Sequence, residues 1–173
     1  LERFGNRVPQ FQVELIRPVG ELEQQVRAVC VIPGSTEHGY APELVTATPV
    51  KGETRDVNRH VLHAGSDWEA SIDELQAVCP NLEHVSLIVA WFGTDLRAGE
   101  CRLRPGVVSE SGGGESEAWS VAGMGRDDAG VHVVSLSQEK PAYGGTPSDA
   151  SVIAAISDLK ARGLKVTLCP FVL

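Results

Sequence analysis

Cysteines, aromatic residues and long apolar runs are all scarce in this chain. Only four cysteines and 5% aromatic residues occur among 173 residues. The cysteines are widely spaced, with no Cys-x-x-Cys pair and no histidine at zinc spacing, which excludes a disulfide framework and a zinc site of the usual kinds. No apolar run approaches the roughly 20 residues of a membrane-spanning helix, and no secretory leader pattern opens the sequence. We therefore expect a soluble protein with reduced thiols.

Positive charge is also scarce, and it is scattered. The chain carries 15 Lys and Arg against 23 Asp and Glu, a formal net charge of −8. Nucleic-acid binding needs clustered cations on one face, so nucleic acid is not an expected ligand. The Gly112–Gly114 run is followed by acids, and no Gly-x-Ser-x-Gly motif occurs, so nucleotide and nucleophilic-serine sites are not predicted and no cofactor is expected.

The C-terminal third has the pattern of a strand, a helix and a second strand. Thr146 as N-cap, Pro147 and Asp149 form a helix start, and apolar residues then recur at helical spacing up to Arg162 and Gly163. The largely apolar segments 131–136 and 164–169 flank this helix and predict buried strands. A strand, helix, strand unit places its two strands in parallel.

A second helix and strand precede this unit. Ser66 to Glu69 fits a capping box, and an apolar stripe continues to Cys79, before Pro80. The segment 85–92 is the most apolar run of the chain, as expected of a fully buried parallel strand. Helix and strand therefore alternate from Ser66 onward, which predicts an α/β fold.

Residues 93–130 are too long and too polar for a plain connection. We expect segments 101–104 and 118–122 to pair as a hairpin, with residues 110–117 as a flexible tip. This excursion loop is the segment to which no simple structural role is assigned.

The N-terminal part is less regular. Alternation over 11–16 predicts a half-buried strand, spacing over 19–31 favours a helix, and residues 41–60 are expected to be extended. The chain begins without Met and stops inside an apolar run, from which we expect a fragment of a longer protein.

Four motifs cover much of the chain and resemble one family. The motifs are Phe4–Phe11, Asp67–Leu82, Ala90–Arg97 and Pro141–Ile156. They resemble the large baseplate or host-specificity protein of phage-like gene transfer agents, a multidomain tail-tip component with a TIM-barrel-like, glycoside-hydrolase-like domain.

The resemblance implies a division of the chain and a place in a particle. Residues 1–62 would end an upstream phage tail-type domain, and residues 63–173 would open a TIM-barrel-like domain with its first few β/α units, interrupted by the loop at 93–130. It also implies a tail-tip or baseplate location after assembly in the bacterial cytoplasm, contacts with tail hub and distal tail proteins, a cyclic homo-oligomer and a cell-envelope glycan as ligand. The alternative function is a glycoside hydrolase acting on envelope polysaccharide or peptidoglycan, and a third is a free-standing β/α enzyme.

Candidate site residues follow the predicted strands. In β/α barrels the functional groups lie in loops at the carboxyl ends of the strands. Trp91 and Asp95 follow one predicted strand, and Gln138 and Tyr143 follow another, so we expect these four to bind a ligand at a common mouth. The competing interpretation is that Trp91 fills the core and Asp95 caps a turn.

Hydrolysis of a glycoside would need two carboxyl groups at about 5 to 9.5 Å. Asp95 and Glu139 are the only such pair on adjacent predicted strand ends, and are the candidate catalytic residues. His60 and His63 form a weak metal motif that lacks a third ligand at a recognised spacing, so no metal site is predicted. Segment 143–146 could hold an anion or form a tight turn, and the turn is favoured because no lysine accompanies it.

Overall fold

The structure is a computed structural model that describes residues 20–34 and 36–173. The strand predicted at 11–16 and the motif Phe4–Phe11 lie outside the described residues. The helices are α1 (Leu22–Gln25), α2 (Asp67–Val78) and α3 (Asp149–Ala161). The strands are β1 (Ala28–Val31), β2 (Thr46–Val50), β3 (Glu53–Asp56), β4 (His84–Gly93), β5 (Leu103–Arg104), β6 (Gly106–Val107), β7 (Ser120–Val121), β8 (Met124–Gly125), β9 (His132–Val133), β10 (Leu136–Ser137), β11 (Lys140–Pro141) and β12 (Lys165–Val172).

The central sheet has three parallel strands in the order β1, β4, β12, with β5 added antiparallel at the end of β4. Helix α2 lies between β1 and β4 in the chain, and α3 lies between β4 and β12. The mixed α/β class is therefore confirmed. The TIM barrel is not shown, because the central sheet is open and the other sheets of the described residues are small two-stranded ladders. Strand β1 brings the segment before residue 63 into the same sheet as the segment after it.

A serine side chain caps the start of each long helix. The Ser66 hydroxyl accepts the Glu69 amide at the start of α2, as the capping box requires. In α3 the N-cap is Ser148, whose hydroxyl accepts the amide of Ser151, so the prediction of Thr146 as N-cap was wrong. The reason is tertiary, since Thr146 is buried and its hydroxyl is bonded to other parts of the fold.

The main core fills the space between the two helices and the sheet. Trp68 and Ile72 of α2 and Leu159 of α3 pack against Val85 and Leu87 of β4. The Trp68 indole donates to Asp158 of α3 at 2.8 Å, which joins the two helices directly. Because alternate β4 residues are buried in this layer, the apolar segment 85–92 is fixed as the central strand.

Strand β4 is much longer than β1, and side chains complete its unpaired edge. β1 reaches only as far as Leu87. Beyond it, the Tyr40 hydroxyl lies 2.8 Å from the Ile88 carbonyl, and the Thr146 hydroxyl donates to the Ala90 carbonyl at 2.8 Å. Buried carbonyls without partners are costly, so these two hydroxyls stabilise the second half of β4.

Three local predictions were wrong. The described part of the segment predicted as a helix at 19–31 forms the short α1 and then β1, because the β-branched Val29 and Val31 fit the free edge of β4. Segment 131–136 does not pair with β12; it contributes β9, which pairs with β6, and part of the β10–β11 hairpin.

The expected hairpin between 101–104 and 118–122 does not form. β5 adds to the end of β4, and β7 turns directly into β8 through Ala122 and Gly123, both at positive φ. A two-residue turn favours pairing between strands that are adjacent in the sequence, so β7 pairs with β8 and not with the more distant segment 101–104. The extended character of 41–60 is confirmed by the β2–β3 hairpin.

The excursion is anchored to the rest of the fold rather than free. Its expected tip packs along β2, where the Ser116 amide donates to Thr46 and the Thr48 amide donates to Gly114. A second core of Val107, Trp119 and Val121 lies beneath it. Among the described residues, no helix combines the length and apolar character that crossing a bilayer requires.

Candidate functional site

A cavity of about 280 Å³ opens on the sheet near the carboxyl ends of the parallel strands. Strands β4 and β12 supply Ile88, Ala90 and Phe171, and the segment after β1 supplies Ile32. The loop before α3 closes one side with Tyr143. This is the edge at which open α/β sheets and β/α barrels place ligands. We call it the carboxyl-edge cavity.

The walls of the carboxyl-edge cavity are almost entirely apolar, and no charged side chain lines it. Tyr143 is 56% exposed and Phe171 is 50% exposed, so two aromatic rings are available at the surface here. Gly34, Gly144 and Gly145, which have no side chain to cover their backbone, also belong to the lining. The cavity can therefore accept a ligand with an apolar face and uncharged polar edges.

Close packing of the backbone places Tyr143 at this cavity. Gly145 passes between Glu37 and Gly106, and a Cβ atom there would lie 2.7 Å from the Gly106 carbonyl oxygen. Only glycine fits at that distance. The next residue, Thr146, is bonded to both β4 and Gly106. Segment 143–146 is thus a closely packed segment anchored by hydrogen bonds, which agrees with the tight turn favoured from the sequence over an anion site.

The other predicted ligand-binding residues do not line this cavity. Trp91 is half-buried and packs against the second core, beside Val107 and Trp119. Asp95 accepts the Arg97 amide at 2.8 Å and a guanidinium nitrogen of the same residue at 2.7 Å. These contacts match the competing interpretation of core packing for Trp91 and turn capping for Asp95.

The two candidate catalytic carboxylates lie in separate local structures. The Arg97 side chain and amide hold the pKa of Asp95 below its ordinary value. Glu139 and Gln138 form the exposed turn of the β10–β11 hairpin, with φ of 64° and 51°. An exposed pair of positive-φ residues is typical of a tight hairpin turn. The described contacts do not bring Asp95 and Glu139 together.

A larger cleft, of about 540 Å³, lies between the β2–β3 hairpin and the excursion. We call it the polar cleft. Its lining includes Glu37, Glu115 and Arg126, together with Arg55 and Ser109. The polar cleft is not recognisable from the sequence, because the residues that line it are far apart in the chain and form no recognised motif.

Buried charges fix one wall of the polar cleft. Arg126 donates to Glu115 at 2.6 Å and to Glu37 at 3.2 Å, and the three side chains are 9%, 12% and 4% exposed. Glu37 also accepts the Val108 amide at 2.6 Å. Glu37 thus joins the loop before β2 to the excursion at two points, Arg126 and the Val108 amide, and truncating one charged partner would leave another charge buried.

His60 and His63 do not form a metal site in the described structure. The His60 ring nitrogen Nδ1 lies 2.6 Å from Asp67. The His60 contacts hold the pKa of Asp67 below its ordinary value, although burial of that carboxyl acts in the opposite direction. Across residues 20–34 and 36–173, no group of three or more His, Cys, Asp or Glu is arranged to hold a metal ion.

Comparison with known proteins adds no family to this description. No protein-family model matches the chain, and no curated protein matches it.

Proposed function

We propose that this chain is a structural and host-recognition part of the tail tip or baseplate of a phage-like gene transfer agent. The support is the resemblance of its motifs, above all Pro141–Ile156, together with the order of strands and helices. Three parallel strands that are consecutive around the sheet, with helices between them in the chain, are what the opening units of a β/α barrel would look like. Its partners are then tail hub and distal tail proteins, in a cyclic assembly.

The recognition activity that we propose is binding of a cell-envelope glycan in the carboxyl-edge cavity. The observation that carries it is the exposure of Tyr143 and Phe171 beside an uncharged cavity at this edge. The C–H face of a sugar ring can stack on an aromatic ring, while its hydroxyl groups hydrogen-bond to backbone groups such as those of Gly144 and Gly145.

The hydrolase alternative receives less support from this edge. A general acid needs a carboxyl group that keeps its proton near neutral pH, which requires a raised pKa. Arg97 shifts the pKa of Asp95 in the opposite direction. Glu139 lies in an exposed hairpin turn, and not in the wall of the cavity.

Binding can be tested with the 173-residue chain, using peptidoglycan sacculi in co-sedimentation and chitotetraose in calorimetry. We expect wild type to bind at least one of the two, and Tyr143→Ala to bind about fivefold more weakly, since one stacked aromatic contributes on the order of 1 kcal/mol. Leu96→Ala is the matched control, because Leu96 is fully exposed and does not line the cavity. Equal binding by Tyr143→Ala and wild type would contradict the glycan site.

The same incubations separate binding from catalysis. We expect no release of reducing ends above background. Release that disappears in Asp95→Asn or Glu139→Gln would favour the hydrolase.

The structural role is tested by electron microscopy of purified particles, in which gold-labelled antibodies against the chain should mark one end of the tail. Label spread over the capsid, or none, would contradict it.

A further inference from the structure

His38 is a fully buried histidine held between two carboxylates of the excursion. Its side chain is 0% exposed, with Nε2 3.3 Å from Glu115 Oε2 and Nδ1 3.6 Å from Glu117 Oε1. Both ring nitrogens are within ion-pair distance, but neither has a partner at hydrogen-bond geometry. A buried imidazole with both nitrogens facing acids is a costly arrangement unless its protonation state matches the surroundings.

The charges around His38 come from several elements. Glu37 is adjacent in the chain, Glu115 and Glu117 come from the excursion, and Arg126 follows β8 and bonds both Glu37 and Glu115. From the start of α3, the Ser148 hydroxyl donates to Glu117 at 3.2 Å. Three carboxylates and one guanidinium therefore lie around the ring, so the group is negative, and protonation of the imidazole reduces this excess negative charge by one.

The two states of the ring fit this environment differently. A neutral imidazole has one N–H, so its other nitrogen would present a lone pair to a carboxylate. An imidazolium can donate toward Glu115 and Glu117 at once. Burial acts to raise the pKa of Glu115, but the contacts with His38 and Arg126 lower it overall, so this carboxylate stays ionised beside the ring.

We propose that protonation of His38 strengthens its contacts with Glu115 and Glu117, which join the loop before β2 to the excursion and which we call the His38 clasp. The stability of the fold, and of the wall of the polar cleft, then depends on pH. When the ring is charged, it joins both carboxylates to the loop. When the ring loses its proton, Arg126 and the Val108 amide, which both bond Glu37, still hold the loop to the excursion. This proposal concerns the polar cleft and is independent of the glycan proposal.

The sign of the effect distinguishes this clasp from an ordinary buried histidine. If the folded protein favours charged His38, its contribution is fully present below the titration range of a free imidazole, about pH 6.5, and is lost as the pH rises. If the folded protein keeps the ring neutral, the unfolded chain binds the proton better, and acid destabilises the fold. Glu115 stays ionised over the pH range of the test, because its contacts hold its pKa below the ordinary value of a glutamate.

The test compares thermal unfolding of the full chain at pH 8.0 and pH 6.0. We expect the Tm of wild type, relative to His38→Gln, to rise by roughly 3 °C on acidification. Glu117→Gln should show a smaller rise. His63→Gln is the matched control, because His63 is exposed, and should keep the wild-type rise. Parallel behaviour of wild type and His38→Gln, or a relative loss of Tm in wild type at pH 6.0, would overturn the proposal.

A second measurement keeps the test decisive if His38→Gln does not fold. Nitrogen-15 NMR of the histidine rings in wild type reports directly whether one or both nitrogens carry a proton. We expect both ring nitrogens of His38 to be protonated at pH 6.0. A neutral tautomer at pH 6.0 would refute the clasp, whatever the variants do.

Discussion

Thr146 offers the sharpest test of how the excursion is joined to the central sheet. Its hydroxyl accepts the Gly106 amide at 2.8 Å and donates to the Ala90 carbonyl at 2.8 Å, and the residue is 0% exposed. One side chain therefore links β4, the excursion and the start of α3. Replacing it by valine keeps the volume nearly constant and removes both hydrogen bonds.

The magnitude follows from the two groups left without partners. A buried donor or acceptor that loses its partner costs about 1–3 kcal/mol, so we expect Thr146→Val to lower the free energy of unfolding by roughly 2–5 kcal/mol. Thr146→Ser is the matched control, because it keeps the hydroxyl and loses one buried methyl group, which costs about 1 kcal/mol. For a chain of this size, each kcal/mol corresponds to roughly 2–4 °C in Tm.

Urea unfolding followed by circular dichroism measures the difference between these variants. The midpoint should fall in the order wild type, Thr146→Ser, Thr146→Val, with an unchanged slope if the unfolded state is unaffected. A valine variant as stable as the serine variant would refute the reasoning. It would mean that the hydroxyl contributes no more than the methyl group, and that the Gly106 amide and Ala90 carbonyl find other partners.

Two further substitutions test neighbouring parts of the same argument. Tyr40→Phe removes the hydroxyl that lies 2.8 Å from two strand carbonyls and should lower the free energy of unfolding by about 1–3 kcal/mol in urea titrations; an unchanged midpoint would show that the carbonyls do not depend on it. Gly106→Ala places a Cβ 2.3 Å from the Phe92 ring and should lower the free energy of unfolding by about 1–3 kcal/mol. Gly99→Ala is the control, because a Cβ there meets no atom within 4 Å, and it should leave the stability unchanged. Equal unfolding midpoints for the two variants would contradict the close packing at Gly106.

The start of α2 and the most apolar strand were predictable because local chemistry decides them. The Ser66 capping box and the apolar stripe fixed the start of α2, and the uniform apolarity of 85–92 fixed β4 as a central strand. Pairing partners were not predictable in the same way. Segment 131–136 has the composition of a buried strand, yet Leu136 is 65% exposed, because it pairs with β11 in an exposed hairpin and not with β12.

The candidate sites show the same division. Tyr143 was identified because it follows the segment predicted as a strand at 131–136, and it lines the carboxyl-edge cavity although that segment does not join the central sheet. Trp91 lies near the end of β4 and Asp95 follows it, but their contacts are with Trp119 and Arg97. The polar cleft went unrecognised, since Glu37, Glu115 and Arg126 are separated by long stretches of chain and no periodic pattern connects them.

The amino-acid sequence by itself determined the α/β class, the two long helices and the central strand, because capping, helical periodicity and uniform apolarity act over a few neighbouring residues. Only the tertiary structure decided that β1 and β12 flank β4, that Thr146 serves the sheet and not the helix cap, and that His38 lies between two carboxylates. Those outcomes depend on contacts between buried polar groups that are far apart in the chain, and local composition does not determine such contacts.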